Sequence, residues 1–243
     1  MKQEQGHEYM TVIAANLQAV RERIARAAQA AGRDPESVAL LAVSKTWPAE
    51  AVRAAAAAGQ HAFGENYVQE GVDKAAALAA LGLEWHFIGP LQSNKTRQVA
   101  NAFHWVHSID RLKIAERLSA QRDAHLPPLN VCIQVNVSGE DSKSGVMPHE
   151  ARELAHAVAA LPRLRLRGLM CIPEPTADEA LLRRRFAMLR ALKAELVAEG
   201  LALDTLSMGM SHDIEAAIAE GATIVRVGTA IFGARAVAGA QAG

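Results

Sequence analysis

Lys45 is the first residue of this sequence whose type and setting could support covalent chemistry. It ends the stretch "LLAVSK" at residues 40–45, in which Ser44 is the only other polar side chain, and Pro48 follows closely. A lysine is seldom buried without a partner. Lys45 is therefore either a solvent-facing residue where a strand meets a loop or a reactive amine at the mouth of a site.

Two loops near the end of the chain carry residue types that bind phosphate. Each follows a short apolar run, at residues 206–208 and 224–227, and the residues concerned are Ser207, Gly209, Ser211, Gly228 and Thr229. Backbone N–H groups at the start of a helix attract an anion, and a glycine lets the anion approach closely. Ser211 is expected to cap a helix that starts near Asp213. The alternative is that the glycines serve plain turn geometry.

Arg226 is unusual because it lies inside the apolar run "IVRVG". Alternation along a strand puts its side chain on the face opposite to those of Val225 and Val227. An arginine that points into a protein interior needs a hydrogen-bond acceptor. The candidates are a carboxylate on a neighbouring strand, such as Glu65, or a bound cofactor.

Taken together, a lysine, a phosphate site and an arginine indicate one cofactor. A lysine amine condenses with an aldehyde to form a Schiff base. Pyridoxal 5′-phosphate (PLP) supplies both the aldehyde and the phosphate, and its pyridine nitrogen takes an Asp or Arg partner. The alternative is a site for another phosphorylated aldehyde or a sugar, with a lysine of the aldolase type.

The elements that must position these residues alternate along the chain. Short apolar runs, typical of strands buried on both faces, occur at residues 38–44, 62–64, 85–88, 105–109, 129–137, 164–172, 206–208 and 224–227. Helical patterns separate them, and another covers residues 8–31. We predict a TIM (β/α)8 barrel, with a doubly wound open sheet as the alternative. The predicted organisation is one domain over residues 1–243, with an N-terminal helix at 1–32 and the barrel at 37–235.

Chemistry in such a barrel takes place where the strands end at their carboxyl side. Lys45, Asn66 and Ser207 all lie at or just beyond the end of a predicted strand, as do Gly228 and Thr229, and His86 lies within the third strand. The segment at residues 138–145, "SGEDSKSG", follows the fifth strand and is predicted to be a mobile loop on the same side.

The overall composition argues against several classes of partner. Acidic and basic residues number 26 each, which gives no electrostatic case for nucleic acid or an anionic membrane. The two cysteines, Cys132 and Cys171, lie in apolar runs and fit buried thiols better than a disulfide framework or a metal site. The N-terminus has no apolar signal core. We therefore expect a cytoplasmic protein without a metal.

In nearly its whole length the sequence resembles the pyridoxal phosphate homeostasis protein family, single-domain relatives of the alanine racemase N-terminal barrel. The matching stretches include "LLAVSKT", "FGENYVQE", "WHFIGPLQSNK", "QVNVSGEDSKSG" and "LSMGMSHDIEAAIAEGATIVRVGTAIFG". The resemblance implies that Lys45 carries PLP as a Schiff base and that Arg226 faces the pyridine nitrogen. It further implies that Ser207, Gly228 and Thr229 hold the phosphate, with Ser211 assisting, and that Asn66 and His86 lie near the ring.

The resemblance implies a PLP carrier or buffer without robust catalysis. Related racemases have a second domain that supplies a catalytic tyrosine, and we expect no such domain here; the tyrosines Tyr9 and Tyr67 do not replace it. An arginine beside the pyridine nitrogen also keeps that nitrogen unprotonated, which weakens the cofactor as an electron sink. The alternative is a racemase-like PLP enzyme of low activity. We expect a monomer, with PLP-dependent apo-enzymes as possible recipients.

Overall fold

Eight parallel strands form a closed barrel in the computed structural model, which describes residues 2–139, 141 and 144–234. The strands are β1 (Ala39–Val43), β2 (Ala62–Glu65), β3 (Glu84–Phe87), β4 (Trp105–Ile109), β5 (Leu129–Gln134), β6 (Leu164–Met170), β7 (Thr205–Ser207) and β8 (Ile224–Val227). Strand β8 pairs with β1 from Ala39↔Ile224 to Ala42↔Val227, which closes the barrel. The predicted TIM barrel is confirmed, and the open-sheet alternative is wrong.

A helix follows each strand, and one long helix precedes them all. The helices are α1 (Lys2–Ala30), α2 (Ala49–Ala57), α3 (Val68–Ala77), α4 (Thr96–Ala102), α5 (Leu112–Gln121), α6 (Pro148–Ala159), α7 (Glu179–Ala198), α8 (Ile214–Ala219) and α9 (Thr229–Phe232). The main apolar core lies between the strands and these helices and includes Phe63, Phe87 and Phe186. Because alternate strand residues face opposite sides, a second set of side chains fills the barrel interior.

The interior of the barrel is only partly apolar. Its apolar members form a small cluster that includes Leu41, Trp105 and Cys132. Polar side chains share this space, and among them Arg226 and His107 are buried. A buried polar group must find a hydrogen-bond partner, so the partners of these residues determine what the interior does.

Helix α1 takes the position that a full-length eighth helix would fill. Helix α9, which follows β8, has four residues, and α1 packs beside it against α2 and α8. Asn16 donates a hydrogen bond to the Ile231 carbonyl at 2.8 Å, and Arg23 donates to the Ser211 carbonyl at 2.6 Å. Arg23 also pairs with Glu215 of α8. The N-terminal helix thus anchors the loops that follow β7 and β8.

The strand ends differ from the sequence prediction where polar loops begin. Strand β5 ends at Gln134 and not at residue 137; beyond that end, the Val135 N–H still donates to the Met170 carbonyl, and Val135 forms an isolated bridge with Val146. Strand β6 ends at Met170, before a segment rich in proline. Residues 140, 142 and 143 of the predicted mobile loop, and the predicted barrel end at residue 235, lie outside the described residues.

Candidate functional site at the carboxyl end of the barrel

Lys45 lies in a tight turn immediately beyond β1. The Trp47 N–H donates to the Ser44 carbonyl at 3.0 Å, so Lys45 and Thr46 are the central residues of the turn. Thr46 has φ of +69°, in the left-handed region. A turn of this kind favours glycine or asparagine at that position, and a β-branched residue there is strained. The turn therefore holds the half-buried Lys45 in a defined place at some energetic cost.

A cluster of ion pairs fixes this turn through hydrogen bonds to its backbone at Ser44 and Thr46. Lys74 of α3 places its Nζ 2.7 Å from the Ser44 carbonyl, 2.7 Å from Glu65 Oε1 and 2.7 Å from Glu70 Oε1. Glu70 also accepts the Thr46 N–H at 2.5 Å. We call Ser44, Glu65, Glu70 and Lys74 the lysine brace. It ties the ends of β1 and β2 to α3 through one ammonium group.

Two of the three charged residues of the lysine brace, Glu65 and Lys74, are removed from water, whereas Glu70 is partly exposed. Glu65 is fully buried and Lys74 is 6% exposed. Burial raises the pKa of Glu65, while Lys74 and the Ser44 hydroxyl oppose that shift. A buried ion pair depends on its hydrogen bonds, because removing one partner leaves the other charge uncompensated.

Arg226 is also buried, at 4% exposed, but its partners are neutral. Its Nη1 donates to Ser207 Oγ at 2.8 Å, and its Nη2 donates to the Cys171 carbonyl at 2.9 Å. The alternative that Arg226 pairs with Glu65 is wrong, because Glu65 pairs with Lys74 instead. In the described part of the chain no carboxylate forms a salt bridge with Arg226. Burial lowers the pKa of its guanidinium.

His86 lies in the barrel interior between two polar side chains. Its Nδ1 is 2.8 Å from His107 Nε2, and its Nε2 is 2.7 Å from Glu84 Oε1. His107 Nδ1 is in turn 2.7 Å from Ser207 Oγ. Burial lowers the pKa of His86 and holds that of His107 well below its usual range. A series of hydrogen bonds through His107 and Ser207 therefore connects His86 to Arg226.

The loops after β7 and β8 meet at the mouth of the barrel. The Ser211 hydroxyl accepts the Ala230 N–H at 3.5 Å, and Thr229 is exposed. Gly209 has φ of +102°, and a Cβ there would lie 2.7 Å from the Ala217 Cβ, so only glycine fits. The prediction that Ser211 caps α8 is wrong. Asp213 holds the cap position, and its carboxylate accepts the Met210 N–H.

The predicted phosphate residues fall into two groups. Gly228 and Thr229 follow β8 directly, and a Cβ on Gly228 would lie 3.2 Å from the Val43 carbonyl of β1. Ser211, in the loop after β7, lies near them, because its hydroxyl contacts the Ala230 N–H in the segment after β8. Ser207 is fully buried, and its hydroxyl is shared by His107 and Arg226 inside the barrel. Its contacts link it to Arg226 and not to the rim.

Asn66 borders a cavity at the carboxyl ends of the strands. The cavity has a volume of about 450 Å³ and is also lined by Gln134 at the end of β5, Ile172 after β6 and Met210 after β7. Small-molecule sites usually have roughly 300–1,000 Å³. The Asn66 Oδ1 atom is buried and has no hydrogen-bond partner among the described residues. Gly89 makes this arrangement possible, because a Cβ there would overlap the Asn66 backbone.

Comparison with known proteins gives a consistent result. The profile of the family "Alanine racemase, N-terminal domain" matches residues 15–236. A pyridoxal phosphate homeostasis protein of Pseudomonas aeruginosa is 66% identical over 226 residues, which cover 93% of this chain and 97% of that protein. The protein of that name from Escherichia coli strain K12 is 59% identical over 232 residues, covering 93% and 98%.

This chain belongs to the pyridoxal phosphate homeostasis protein family. Among solved structures, PipY of Synechococcus elongatus, determined with PLP bound, superposes with a TM-score of 0.79 at 40% identity. The alignment covers 91% of this chain and 100% of that one. The Pseudomonas and Escherichia relatives are both named as homeostasis proteins.

Sequence reasoning missed several residues that this member of the family brings together. Lys74 and Glu70 were part of a helical pattern, and His107 was one residue of the run at 105–109. The period of two in that run places His107 on the same face as Trp105. This alternation was the one sequence feature that could have predicted His107 to be in the barrel interior. Cys132 and Cys171 are buried free thiols as predicted, and burial raises the pKa of each to about 12.

The residues that the structure describes contain no group of three or more His, Cys, Asp or Glu side chains arranged to hold a metal ion. No helix among them combines the length and the apolar character needed to cross a membrane.

Proposed function

We propose that this protein binds PLP covalently through Lys45 and acts in PLP homeostasis as a carrier or buffer, without robust catalysis. The observation that carries the proposal is that Lys45 follows β1, the strand that pairs with β8, which carries Arg226 and leads into the Gly228–Thr229 loop. Lys45 follows β1, and β1 pairs with β8 at Leu41↔Arg226. An amine and a glycine-hydroxyl loop at the mouth of the barrel, and a guanidinium buried in its interior, therefore belong to two neighbouring strands and the loops that follow them.

The side chains present fit the chemical groups of PLP. The bound cofactor would supply an aldehyde carbon for reversible bonding to an amine. Gly228 and Thr229, with Ser211 across the mouth, would receive the phosphate. Arg226 would donate to the ring nitrogen. Asn66, whose Oδ1 is buried without a partner, would accept a hydrogen bond from the cofactor, which removes the cost of that unpaired atom.

The relatives support the same assignment. PipY of Synechococcus, which is 40% identical to this chain, has a structure determined with PLP bound. The Pseudomonas and Escherichia relatives carry the homeostasis name at 66% and 59% identity.

The kind of residue proposed to face the ring nitrogen supports a carrier role. Arginine holds its proton under all ordinary conditions, so it donates to the nitrogen without protonating it. An unprotonated ring is a weaker electron sink and favours storage over turnover. Sustained conversion of a chiral amino acid by the wild type, lost in Lys45→Ala, would support the racemase-like alternative instead.

Borohydride reduction followed by peptide mass spectrometry tests the covalent assignment. The PLP-loaded protein should carry one reduced adduct, on Lys45, and Lys45→Ala should carry none. Lys95→Ala is the matched control, because Lys95 is an exposed lysine at the end of a short 3-10 helix (Ser93–Lys95) that follows β3, at the same end of the barrel. An adduct that survives in Lys45→Ala, or that is absent from the wild type, contradicts the proposal.

The phosphate assignment is tested with two ligands. Ser211→Ala combined with Thr229→Ala should weaken binding of PLP more than binding of pyridoxal, since pyridoxal has no phosphate. Equal losses for both ligands would place the phosphate elsewhere.

Transfer to other proteins is the further part of the proposal. The mouth is bordered by exposed side chains, including Ile172 and Met210, so a bound cofactor would remain accessible to a recipient. The two buried thiols suit a reducing compartment such as the cytoplasm. A PLP-dependent apo-enzyme should regain activity faster with the loaded protein than with the same amount of free PLP. Light scattering of the loaded protein should give the mass of a monomer.

A further inference from the structure

A chain of hydrogen bonds runs through the barrel interior behind Arg226. It passes from Arg226 Nη1 to Ser207 Oγ at 2.8 Å, from Ser207 Oγ to His107 Nδ1 at 2.7 Å, and from His107 Nε2 to His86 Nδ1 at 2.8 Å. The last link joins His86 Nε2 to Glu84 Oε1 at 2.7 Å. We call Ser207, His107, His86 and Glu84 the arginine relay. It connects β8, β7, β4 and β3.

The types of atom at the two ends fix the direction of every bond. Arg226 can only donate, so Ser207 accepts from it. An ionised Glu84 can only accept, so His86 donates through Nε2–H. A neutral His86 then has an unprotonated Nδ1, which must accept from His107 Nε2–H. His107 in turn has an unprotonated Nδ1 and accepts the Ser207 hydroxyl proton.

The opposite assignment fails at the last link. If His107 carried its proton on Nδ1, His86 would have to donate through Nδ1–H to complete the chain. A neutral His86 would then present a bare Nε2 to the Glu84 carboxylate, and two acceptors would face each other at 2.7 Å. With both histidines neutral, only the Nε2–H form of each satisfies all the bonds.

Burial favours the neutral state that this argument requires. Ser207 and His107 are fully buried and His86 is 3% exposed. Burial lowers the pKa of both histidines, and the hydrogen bond from His86 lowers the pKa of Glu84. The Glu84 side chain is half exposed, at the amino end of β3. The relay therefore runs from a buried cation to an anion in contact with water.

We propose that the arginine relay is a set of positioning residues that holds the Arg226 guanidinium in one orientation, toward the ring nitrogen of the cofactor. This inference rests on the proposed function. A carboxylate in direct contact with Arg226 would draw the charge of the guanidinium to itself. A neutral acceptor fixes the guanidinium while leaving its charge available on the opposite side, and the distant Glu84 polarises each link in the same direction.

The relay can be tested without any ligand. In the ligand-free protein, nitrogen-15 NMR of the histidine side chains should find His86 and His107 neutral, with the proton on Nε2 in both rings. A proton on Nδ1 of either ring, or a charged ring near neutral pH, overturns the relay. This result does not depend on whether the protein binds PLP.

The effect on the cofactor is tested in the loaded protein. Ser207→Ala and His107→Phe should each weaken binding of PLP and of pyridoxal by about the same factor, roughly ten-fold. Each should also shift the absorption spectrum of the bound cofactor in the direction that Arg226→Met shifts it. Glu84→Gln keeps an acceptor and removes only the charge, so it should give the same shift with about a two- to three-fold loss.

Cys132→Ala is the matched control, because it removes a buried group from the same barrel interior without touching the relay. Its spectrum and affinity should equal those of the wild type. Unchanged spectra in Ser207→Ala and Glu84→Gln would overturn the inference, even if His107→Phe failed to fold. A loss at Ser207→Ala confined to PLP would also overturn it, by assigning Ser207 to the phosphate. Wild-type protein that binds no PLP would refute the proposed function, while the NMR result would still decide the relay.

Discussion

Two buried cations flank the proposed cofactor site, and the protein compensates them in opposite ways. Lys74 of the lysine brace contacts two carboxylates directly, both at 2.7 Å. Arg226 contacts a hydroxyl and a carbonyl, and reaches Glu84 only through the arginine relay. The first arrangement cancels charge where a turn must be held. The second retains charge where a ligand is expected.

The comparison teaches that burial alone does not reveal what a charged residue does. A buried ammonium saturated by carboxylates acts as a structural tie, and its removal should affect folding. A buried guanidinium held by neutral groups keeps part of its interaction capacity, and its removal should affect binding. The following experiments separate these two expectations.

The largest effect is expected from breaking the lysine brace. Lys74→Met leaves Glu65 buried without its cation and should lower the free energy of unfolding by about 3–5 kcal/mol. Urea unfolding monitored by circular dichroism measures the change.

A double variant provides the control for this experiment. Lys74→Met combined with Glu65→Gln removes the uncompensated charge and should recover a large part of the loss. A double variant as unstable as the single one would mean that packing, and not charge, explains the brace.

The next effect concerns Arg226. Arg226→Met should change the free energy of unfolding by less than about 2 kcal/mol, since the loss of two hydrogen bonds is offset by removal of a buried charge. It should weaken binding of PLP by about 10- to 100-fold, the range for a hydrogen bond to a charged group. Equilibrium titration and urea unfolding of the same sample measure both quantities. A large loss of stability with unchanged affinity would reverse the comparison.

A smaller effect is expected from pH. Burial lowers the pKa of His86 and His107 in the folded protein, so below about pH 6.5 the unfolded chain binds more protons. The contribution of these two neutral histidines to the free energy of unfolding is therefore complete above about pH 6.5. It is lost as the pH falls toward their pKa values in the folded protein, by at most about 1.4 kcal/mol per pH unit for each histidine.

Unfolding of the ligand-free protein between pH 7.5 and 5.5 checks this dependence. His107→Phe should make the profile shallower, with the remaining slope coming from His86 and His104, whose pKa values are also lowered by burial. His125→Phe, at an exposed histidine, should leave the profile as in the wild type. Glu84 does not interfere, because its lowered pKa matters only in more acidic solution. A wild-type stability that is constant across this window would contradict neutral, buried histidines.

The smallest effect is expected at the turn that presents Lys45. Thr46→Gly removes the strain of a β-branched residue with φ of +69°. The extra conformational entropy of glycine in the unfolded chain offsets part of this gain, so the free energy of unfolding should rise by about 0.5 kcal/mol. Thermal unfolding measures it, and Lys45 should still form the reduced adduct. A less stable Thr46→Gly protein would show that the threonine side chain contributes contacts that outweigh its strain.

Local pattern was sufficient to predict the barrel from the sequence. Strands and helices have different hydrophobic periods, and eight alternating units close in one common way. The same reasoning placed Lys45 and the Gly228–Thr229 loop at the carboxyl ends of β1 and β8, because strand order alone determines that end. The exact ends of β5 and β6 were less accessible, since apolar residues continue past the last ladder hydrogen bond.

The sequence by itself therefore determined which residues reach the mouth of the barrel, and the tertiary structure decided which polar groups pair inside it. Glu65 could have met Arg226, and only the folded chain assigns it to Lys74. His107 and Ser207 are separated by 100 positions and still meet at 2.7 Å. The physical reason is that contacts across a barrel depend on strand tilt and stagger, which the alternation of residues along a single strand does not encode.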